Sequence, residues 1–112
     1  MEDRQRCIAQ ENIDNTGFAY TLSLINGRYK MTILYTLMEF EYVRFNELKR
    51  YIASITYKTL SLALKELERD GLVHREEYPQ IPPKVVYSLT ERGKSLIPIL
   101  DAMCEWGDRN RL

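Results

Sequence analysis

The stretch from residue 44 to residue 93 constrains the fold of this chain more than any other. Its apolar spacing changes in a fixed order. Two helical periods separated by a short turn come first, then two strand-like runs separated by prolines, then the start of another helix. This order predicts a winged helix-turn-helix, mostly α with a small β wing (α+β). Such a unit can place one helix in the major groove of DNA.

The rest of the chain is expected to support that unit within a single domain. A length of 112 residues fits one core and is too short for two. Residues 1–15 show no sustained period and are expected to form a flexible arm. The other predicted segments are two helices within 16–43, the helix-turn-helix at 44–71, the wing at 72–90 and a dimerisation helix at 91–107.

The second helix of the helix-turn-helix has two unlike faces. Thr56 is its predicted N-cap and Gly71 its predicted stop. At about 100° per residue, the inward face carries Leu60, Ala63, Leu64 and Leu67, and the outward face carries Lys58, Ser61, Leu62, Lys65 and Arg69. A recognition helix needs this division, because its outer side chains must reach phosphates and base edges. The alternative is an ordinary amphipathic helix with a solvated outer face.

Charge is balanced overall but uneven along the chain. The 16 Lys and Arg residues equal the 16 Asp and Glu residues. Residues 44–65 nevertheless contain one acid, Glu47, against five cations, which gives a local charge of +4 from Arg44, Lys49, Arg50, Lys58 and Lys65. DNA affinity follows a local basic surface rather than net charge, so this segment is compatible with nucleic-acid binding.

Two features flank the recognition helix. Pro79, Pro82 and Pro83 stiffen the predicted hairpin, whose tip carries Lys84. The tip is either a wing that touches DNA or a rigid loop that protects a sheet edge. The last helix is unusually apolar, so it is expected to pack against the first helix and a second subunit. The candidate dimer residues are Phe18, Leu22, Leu96, Leu100, Met103 and Trp106.

Other classes of function find little support. His74, the single histidine, has no neighbouring ligand at metal-binding spacing, and the glycines do not form a phosphate loop. We therefore expect no enzyme activity, no metal and no cofactor. No apolar run approaches the roughly 20 residues of a membrane span, and the polar N-terminus lacks the core of a secretion signal. The expected compartment is the cytoplasm.

Several segments resemble the HxlR family of bacterial transcription regulators, which are MarR-like winged-helix proteins. Residues 44–48 match R-F-N-E-L, residues 67–73 match L-E-x-D-G-L-V, and residues 78–90 are similar to the family's wing, Y-P-E-V-P-P-R-V-E-Y-S-L-T. The resemblance covers residues 16–107. It implies a homodimer on a pseudo-palindromic operator in double-stranded DNA. Carried over by position, the expected DNA-binding residues are Arg44, Asn46, Thr56, Tyr57, Lys58, Ser61, Leu62, Lys65 and Lys84.

Two departures from the family pattern matter. Leu62 stands where a polar side chain is frequent, so it either contacts a thymine methyl or contributes little. Thr16 occupies the position where many relatives carry a sensing cysteine, and Cys7 lies nine residues earlier. Cys7 is the candidate redox residue, and Cys104 is expected to be buried. An oxidant, a small-molecule effector or no signal at all stay open. The alternative function is a winged helix that binds protein.

Overall fold

The computed structural model describes residues 12–112 and confirms a winged helix-turn-helix around a small antiparallel sheet. Its three strands lie in the order β1-β3-β2. After a 3-10 turn at Ile13–Asn15, the elements are α1 (Gly17–Ile25), α2 (Lys30–Phe40), β1 (Val43–Arg44), α3 (Phe45–Tyr51), α4 (Tyr57–Arg69), β2 (Val73–Tyr78), β3 (Lys84–Leu89), α5 (Glu91–Lys94) and α6 (Ile97–Asn110).

The recognition helix α4 forms as its sequence predicts. Thr56 Oγ1 accepts a hydrogen bond from the backbone N–H of Thr59 at 3.1 Å, which caps the first turn. Gly71, at a φ of +78°, follows the last turn in a conformation that favours glycine. The inward face is buried at all four predicted positions, which are Leu60, Ala63, Leu64 and Leu67.

The core joins the helix-turn-helix to the sheet and to α2. Every element from α2 to β3 contributes at least one side chain to it. The completely or almost completely buried aliphatic residues are Ile33, Leu34, Leu37, Val43, Leu48, Ile55, Leu60, Leu64, Leu67, Leu72 and Val73. Close packing of this kind fixes α4 relative to the wing. β1, which pairs with β3 through Val43 and Tyr87, was not predicted from the sequence.

The prediction of one continuous helix over 91–107 is wrong. The chain forms α5 and α6 with a turn at residues 95–96, and α6 continues to Asn110. Pro98 is the physical reason, since it has no N–H to donate to the carbonyl of Lys94. Proline is accepted in the first turn of α6, where that N–H would have no helical partner.

α5 is seated tightly on the turn that follows α4. Thr90 Oγ1 donates to the carbonyl of Gly71 at 2.6 Å and accepts from the N–H of Gly93 at 2.9 Å. A Cβ on Gly93 would overlap the backbone carbonyl of Leu72, so only glycine fits there. The start of the last helical segment is therefore fixed to the end of the helix-turn-helix.

The flanking helices are more loosely held. α1 has no buried residue, and α6 buries Leu100 alone. The prediction that the last helix packs on the first is wrong in its main contact, because α6 lies chiefly against α2. Of the predicted arm, residues 1–11 lie outside the described residues, and Ile13–Asn15 is a 3-10 turn. Among the described residues, no helix combines the length and the apolar character needed to cross a membrane.

Candidate nucleic-acid interface

The outer face of α4 carries the predicted cations in the open. Lys58 and Lys65 are exposed, Ser61 is half-buried, and Leu62 is 56% exposed between them. Within residues 12–112 neither lysine forms an ion pair. Arg69, also predicted to lie outward, is exposed but pairs with Asp70 at 3.2 Å. Among residues 12–112, Lys58 and Lys65 are thus two exposed cations on this face that have no ion-pair partner.

Tyr57 stands at the start of α4 on an aromatic base. Its ring is 62% exposed and stacks on Phe45 of α3, with ring centroids 6.2 Å apart and planes 13° from parallel. Lys49 Nζ lies 5.1 Å from the centre of the Tyr57 ring, within the range of a cation–π contact. The stack holds Tyr57 in place and brings a cation beside it. Lys49 was not among the sequence-predicted contacts.

Thr56 is exposed, but its hydroxyl is occupied in capping α4. In addition to the Thr59 N–H, it lies 2.9 Å from Thr59 Oγ1. Its contribution to the interface is therefore first to orient the helix N-terminus, whose free N–H groups favour anions.

Arg44 and Asn46 lie where α3 meets the wing. Both are exposed, and together with Pro83 and Val85 they line an open cleft of about 440 Å³. The backbone N–H of Arg44 donates to the Glu47 carboxylate at 2.8 Å, and the Arg44 guanidinium forms no ion pair within residues 12–112. The structure thus brings Arg44 and Asn46 beside the tip end of the wing.

Lys84 forms the last pair of the hairpin with Tyr78. It is half-buried, and its Nζ lies 5.3 Å from the centre of the Tyr78 ring. Side chains of directly opposed strand residues share a face, so Lys84 lies on the same face of the hairpin as Tyr78 and Glu76. The three prolines lie between Tyr78 and Lys84 in the chain and form the exposed tip of the hairpin.

The opposite face of the hairpin turns toward α4 and carries an arginine that sequence reasoning missed. Arg75 pairs with Tyr87 across β2 and β3. Its guanidinium donates to Glu77 at 3.1 Å. The pKa of Arg75 is raised, chiefly by the neighbouring Tyr87 hydroxyl and secondly by Glu77. Strand alternation could have found it, because Val73, Arg75 and Glu77 share one face and Val73 is buried.

A partly buried ion pair joins α4 to α2. Lys30, at the start of α2, is buried and its Nζ lies 2.7 Å from Glu66 Oε1. The hydrogen bond and the charge of Lys30 lower the pKa of Glu66. The charge of this α4 acid is therefore paired with Lys30 rather than with the lysines at 58 and 65.

The predicted dimer residues fall into two groups. Leu100 is 4% exposed and belongs to the core of its own protomer, so its prediction as an interface residue is wrong; Leu96 is half-buried against the same core. The reason is that α6 packs on α2. Four predicted residues present their side chains outward: Phe18, Leu22, Met103 and Trp106.

The two sensing positions differ in what the structure shows. Cys7 lies outside the described residues. Thr16, at the family's cysteine position, is buried; its hydroxyl accepts from the Ala19 N–H at 3.1 Å and donates to the Ile13 carbonyl at 2.7 Å. It is thus the N-cap of α1. Cys104 is half-buried beside Tyr35, rather than buried as expected.

No group of three or more His, Cys, Asp or Glu side chains within residues 12–112 is arranged to hold a metal ion.

Comparison with known proteins bears on the whole fold. A model of the HxlR-like helix-turn-helix family matches residues 24–111. An HTH-type transcriptional regulator of Halalkalibacterium halodurans, BH0655, is 61% identical over 101 residues, which cover 90% of this chain and 89% of that protein. YdzF of Bacillus subtilis, another HTH-type transcriptional regulator, is 56% identical over 90 residues, covering 80% and 83% of the two chains.

A solved structure shows the same architecture. The redox regulator HypR in its reduced form superposes with a TM-score of 0.81 at 49% identity, covering 86% of this chain and 94% of that chain. The matched family and these relatives are transcriptional regulators rather than enzymes, in agreement with the prediction from the sequence.

Proposed function

This chain belongs to the HxlR-like helix-turn-helix family of transcriptional regulators, and from that premise we propose that it acts as a homodimer that binds a pseudo-palindromic operator sequence-specifically. The observation that carries the proposal is the division of α4. Its four inward residues are buried, while Lys58 and Lys65 are exposed and unpaired within the described residues on the opposite face.

Each part of the interface has a separate task. Lys58 and Lys65 neutralise phosphates, which supplies affinity but no sequence information. Tyr57, Ser61 and Leu62 lie beside them and are the side chains that reach base edges, with Leu62 against a thymine methyl. On the flanks, Arg44, Asn46 and Lys84 contact the backbone from α3 and the wing.

The exposed apolar residues of α1 and α6 supply the dimer interface. Phe18 is 67% and Trp106 is 69% exposed, and large side chains left in water at this level are typical of a surface that another protein covers. A twofold dimer presents its two recognition helices about 34 Å apart, one turn of DNA. The pseudo-palindrome follows from that symmetry.

The sensing function of HypR does not transfer by position. HypR is a redox regulator, but this chain has Thr16, already engaged as an N-cap, where the family's cysteine is frequent. Cys7 is the remaining candidate thiol, and Cys104 faces the cleft between α2 and α6. We propose that DNA binding itself needs no oxidant.

The test is operator binding by Lys58→Ala/Lys65→Ala. Wild-type protein is titrated against DNA from upstream of its own gene and against a scrambled fragment, by fluorescence anisotropy at several salt concentrations. Wild type is expected to prefer its own upstream DNA, with affinity that falls steeply as salt rises. The double variant removes four cations per dimer, so its affinity is expected to fall by about a hundredfold or more, with a slope lower by roughly 3–4.

A matched control separates binding from folding. Lys94→Ala/Arg109→Ala removes the same charge from α5 and α6, where both cations sit in exposed ion pairs. It is expected to bind as wild type does. Equal weak binding of both DNA fragments by wild type at low salt would contradict the proposal and favour a winged helix that binds protein. A large fall in the melting temperature of the α4 variant would instead assign its lysines a structural role.

A further inference from the structure

The cleft between α4 and the wing holds a cation that the predicted contacts leave unused. The cleft has a volume of about 370 Å³ and is lined by Ser61, Lys65 and Glu68 of α4 and by Arg75 and Tyr87 of the sheet. Two cations from different elements, Lys65 and Arg75, therefore border one opening, and Ser61 adds a hydroxyl.

Arg75 occupies a position that would normally hold a core side chain. It lies on the same face of β2 as buried Val73, opposite Tyr87, which is 8% exposed. Beyond Val73, this face of β2 no longer packs in the core but borders the cleft against α4. Arg75 is the first side chain of β2 on that part of the face.

The surroundings hold the guanidinium in a defined orientation. It donates a hydrogen bond to Glu77 two residues along its own strand at 3.1 Å, and it lies beside Tyr87, its partner across the two strands. A planar guanidinium fixed on one side keeps its remaining donors for a second acceptor, and phosphate matches that fork geometry.

Stability alone does not account for Arg75. Its pair with Glu77 is roughly half exposed on both sides, and such surface pairs contribute little to folding. If Arg75 leaves Glu77 and pairs with another anion, little folding stability is therefore lost. Glu68 also lines the cleft, so an anion is favoured only on the side of the cleft formed by Arg75 and Lys65.

We propose that Arg75 and Lys65 together bind one backbone phosphate of the DNA between the recognition helix and the wing, and that Tyr87 positions Arg75 for this contact. This inference rests on the proposed function. It adds a clamp that fixes the angle between α4 and the DNA backbone, in a cleft distinct from the one lined by Arg44 and Asn46.

The test compares Arg75→Ala, Arg75→Lys and Tyr87→Phe with Arg109→Ala, an exposed arginine on α6. Binding to the chain's own upstream DNA is measured by anisotropy between 50 and 300 mM salt, together with the melting temperature of each variant. Arg75→Ala is expected to lower affinity about tenfold or more and to reduce the salt slope by roughly 2, because one cation–phosphate contact is lost in each protomer. Arg109→Ala is expected to leave affinity and slope unchanged.

The two milder variants test geometry rather than charge. Arg75→Lys is expected to keep the slope and lose several-fold in affinity, because an ammonium lacks the fork. Tyr87→Phe also keeps the slope and loses affinity, since Arg75 is present but less well held. Were Arg75→Ala unstable, Arg75→Lys alone would decide: affinity equal to wild type overturns the clamp.

The outcomes separate the inference from the function on which it rests. Wild-type slope and affinity in Arg75→Ala, with loss of binding in Lys58→Ala/Lys65→Ala, overturns the clamp and leaves the operator-binding proposal standing. Absence of any preference for upstream DNA in wild type overturns both.

Discussion

The helices α4 and α6 are almost equal in length, 13 and 14 residues, but use their surfaces in opposite ways. α4 buries four residues and exposes lysines. α6 buries Leu100 alone and exposes Ile99, Met103 and Trp106. The buried face shows how each helix is anchored, and the exposed face indicates what it meets: cations suit a polyanion, whereas large apolar side chains suit another protein.

The same contrast separates the two halves of the molecule. From α2 to β3 the chain has a continuous core that includes side chains from every element. α1 has no buried residue, and Phe18, Tyr20 and Leu22 are exposed on it. One polar contact ties it to the last segment, from Arg92 to the Tyr20 hydroxyl at 2.7 Å. In the proposed homodimer, the second copy of the chain would cover this exposed face of α1.

The largest expected effect comes from comparing a substitution on the buried face of α4 with one on its exposed face. Leu60→Ala empties a fully buried position and is expected to reduce the free energy of unfolding by about 3 kcal/mol, through lost burial and the cavity left behind. Leu62→Ala, on the exposed face, is expected to change it by less than about 0.5 kcal/mol. Urea denaturation at a fixed protein concentration measures both. Similar losses would show that α4 is not two-sided.

The second effect concerns the apolar face of α6. Trp106→Ala is expected to raise the dimer dissociation constant about 10- to 100-fold, because exposed tryptophans are frequent energetic centres of interfaces. Tyr42→Ala is the matched control, since Tyr42 is 72% exposed at the end of α2 but outside the proposed interface. Sedimentation velocity over a dilution series gives both constants. A monomeric wild type, or equal shifts in the two variants, would contradict the assignment.

Local sequence signals were sufficient to predict most of the helix-turn-helix and the wing. Thr56 and Gly71 mark the ends of α4, and the leucine spacing identifies its inner face, because capping and amphipathic periodicity act within a few residues. α3, at Phe45–Tyr51, lies inside the segment 44–71 that was predicted as the helix-turn-helix. The strands β2 and β3 lie inside the segment 72–90 that was predicted as the wing.

The errors arose where distant contacts decide. β1 consists of two residues whose strand character depends on pairing with β3, and no local pattern reveals it. Leu100 looked like an interface residue because its helix is apolar all round, but only the packing of α6 on α2 shows that it is internal. The break before α6 had a local signal, Pro98, that was not used. To identify Arg75 as a candidate site residue, one has to know both its face of the strand and the proximity of that face to α4.

The smallest expected effect tests how α4 is tied to α2, the helix that also supports α6. Lys30 lowers the pKa of Glu66 in the folded state. The ion pair therefore contributes stability that is fully present above the ordinary pKa of glutamate, about 4.3, and is lost as pH falls through the lower folded value. Glu66→Gln is expected to lower the melting temperature by at most a few degrees at pH 7.

The pH dependence identifies the cause of that loss. The difference between wild type and Glu66→Gln is expected to stay constant from pH 7 to about pH 5 and to shrink below about pH 4.3, as wild-type Glu66 itself becomes protonated. Glu68→Gln removes an exposed acid two residues further along the same helix and controls for the change in net charge. Circular dichroism melts from pH 3 to 7 decide it. A difference that persists at pH 3 would mean that the Glu66 side chain acts through packing, and that α4 is held to α2 by its leucines alone.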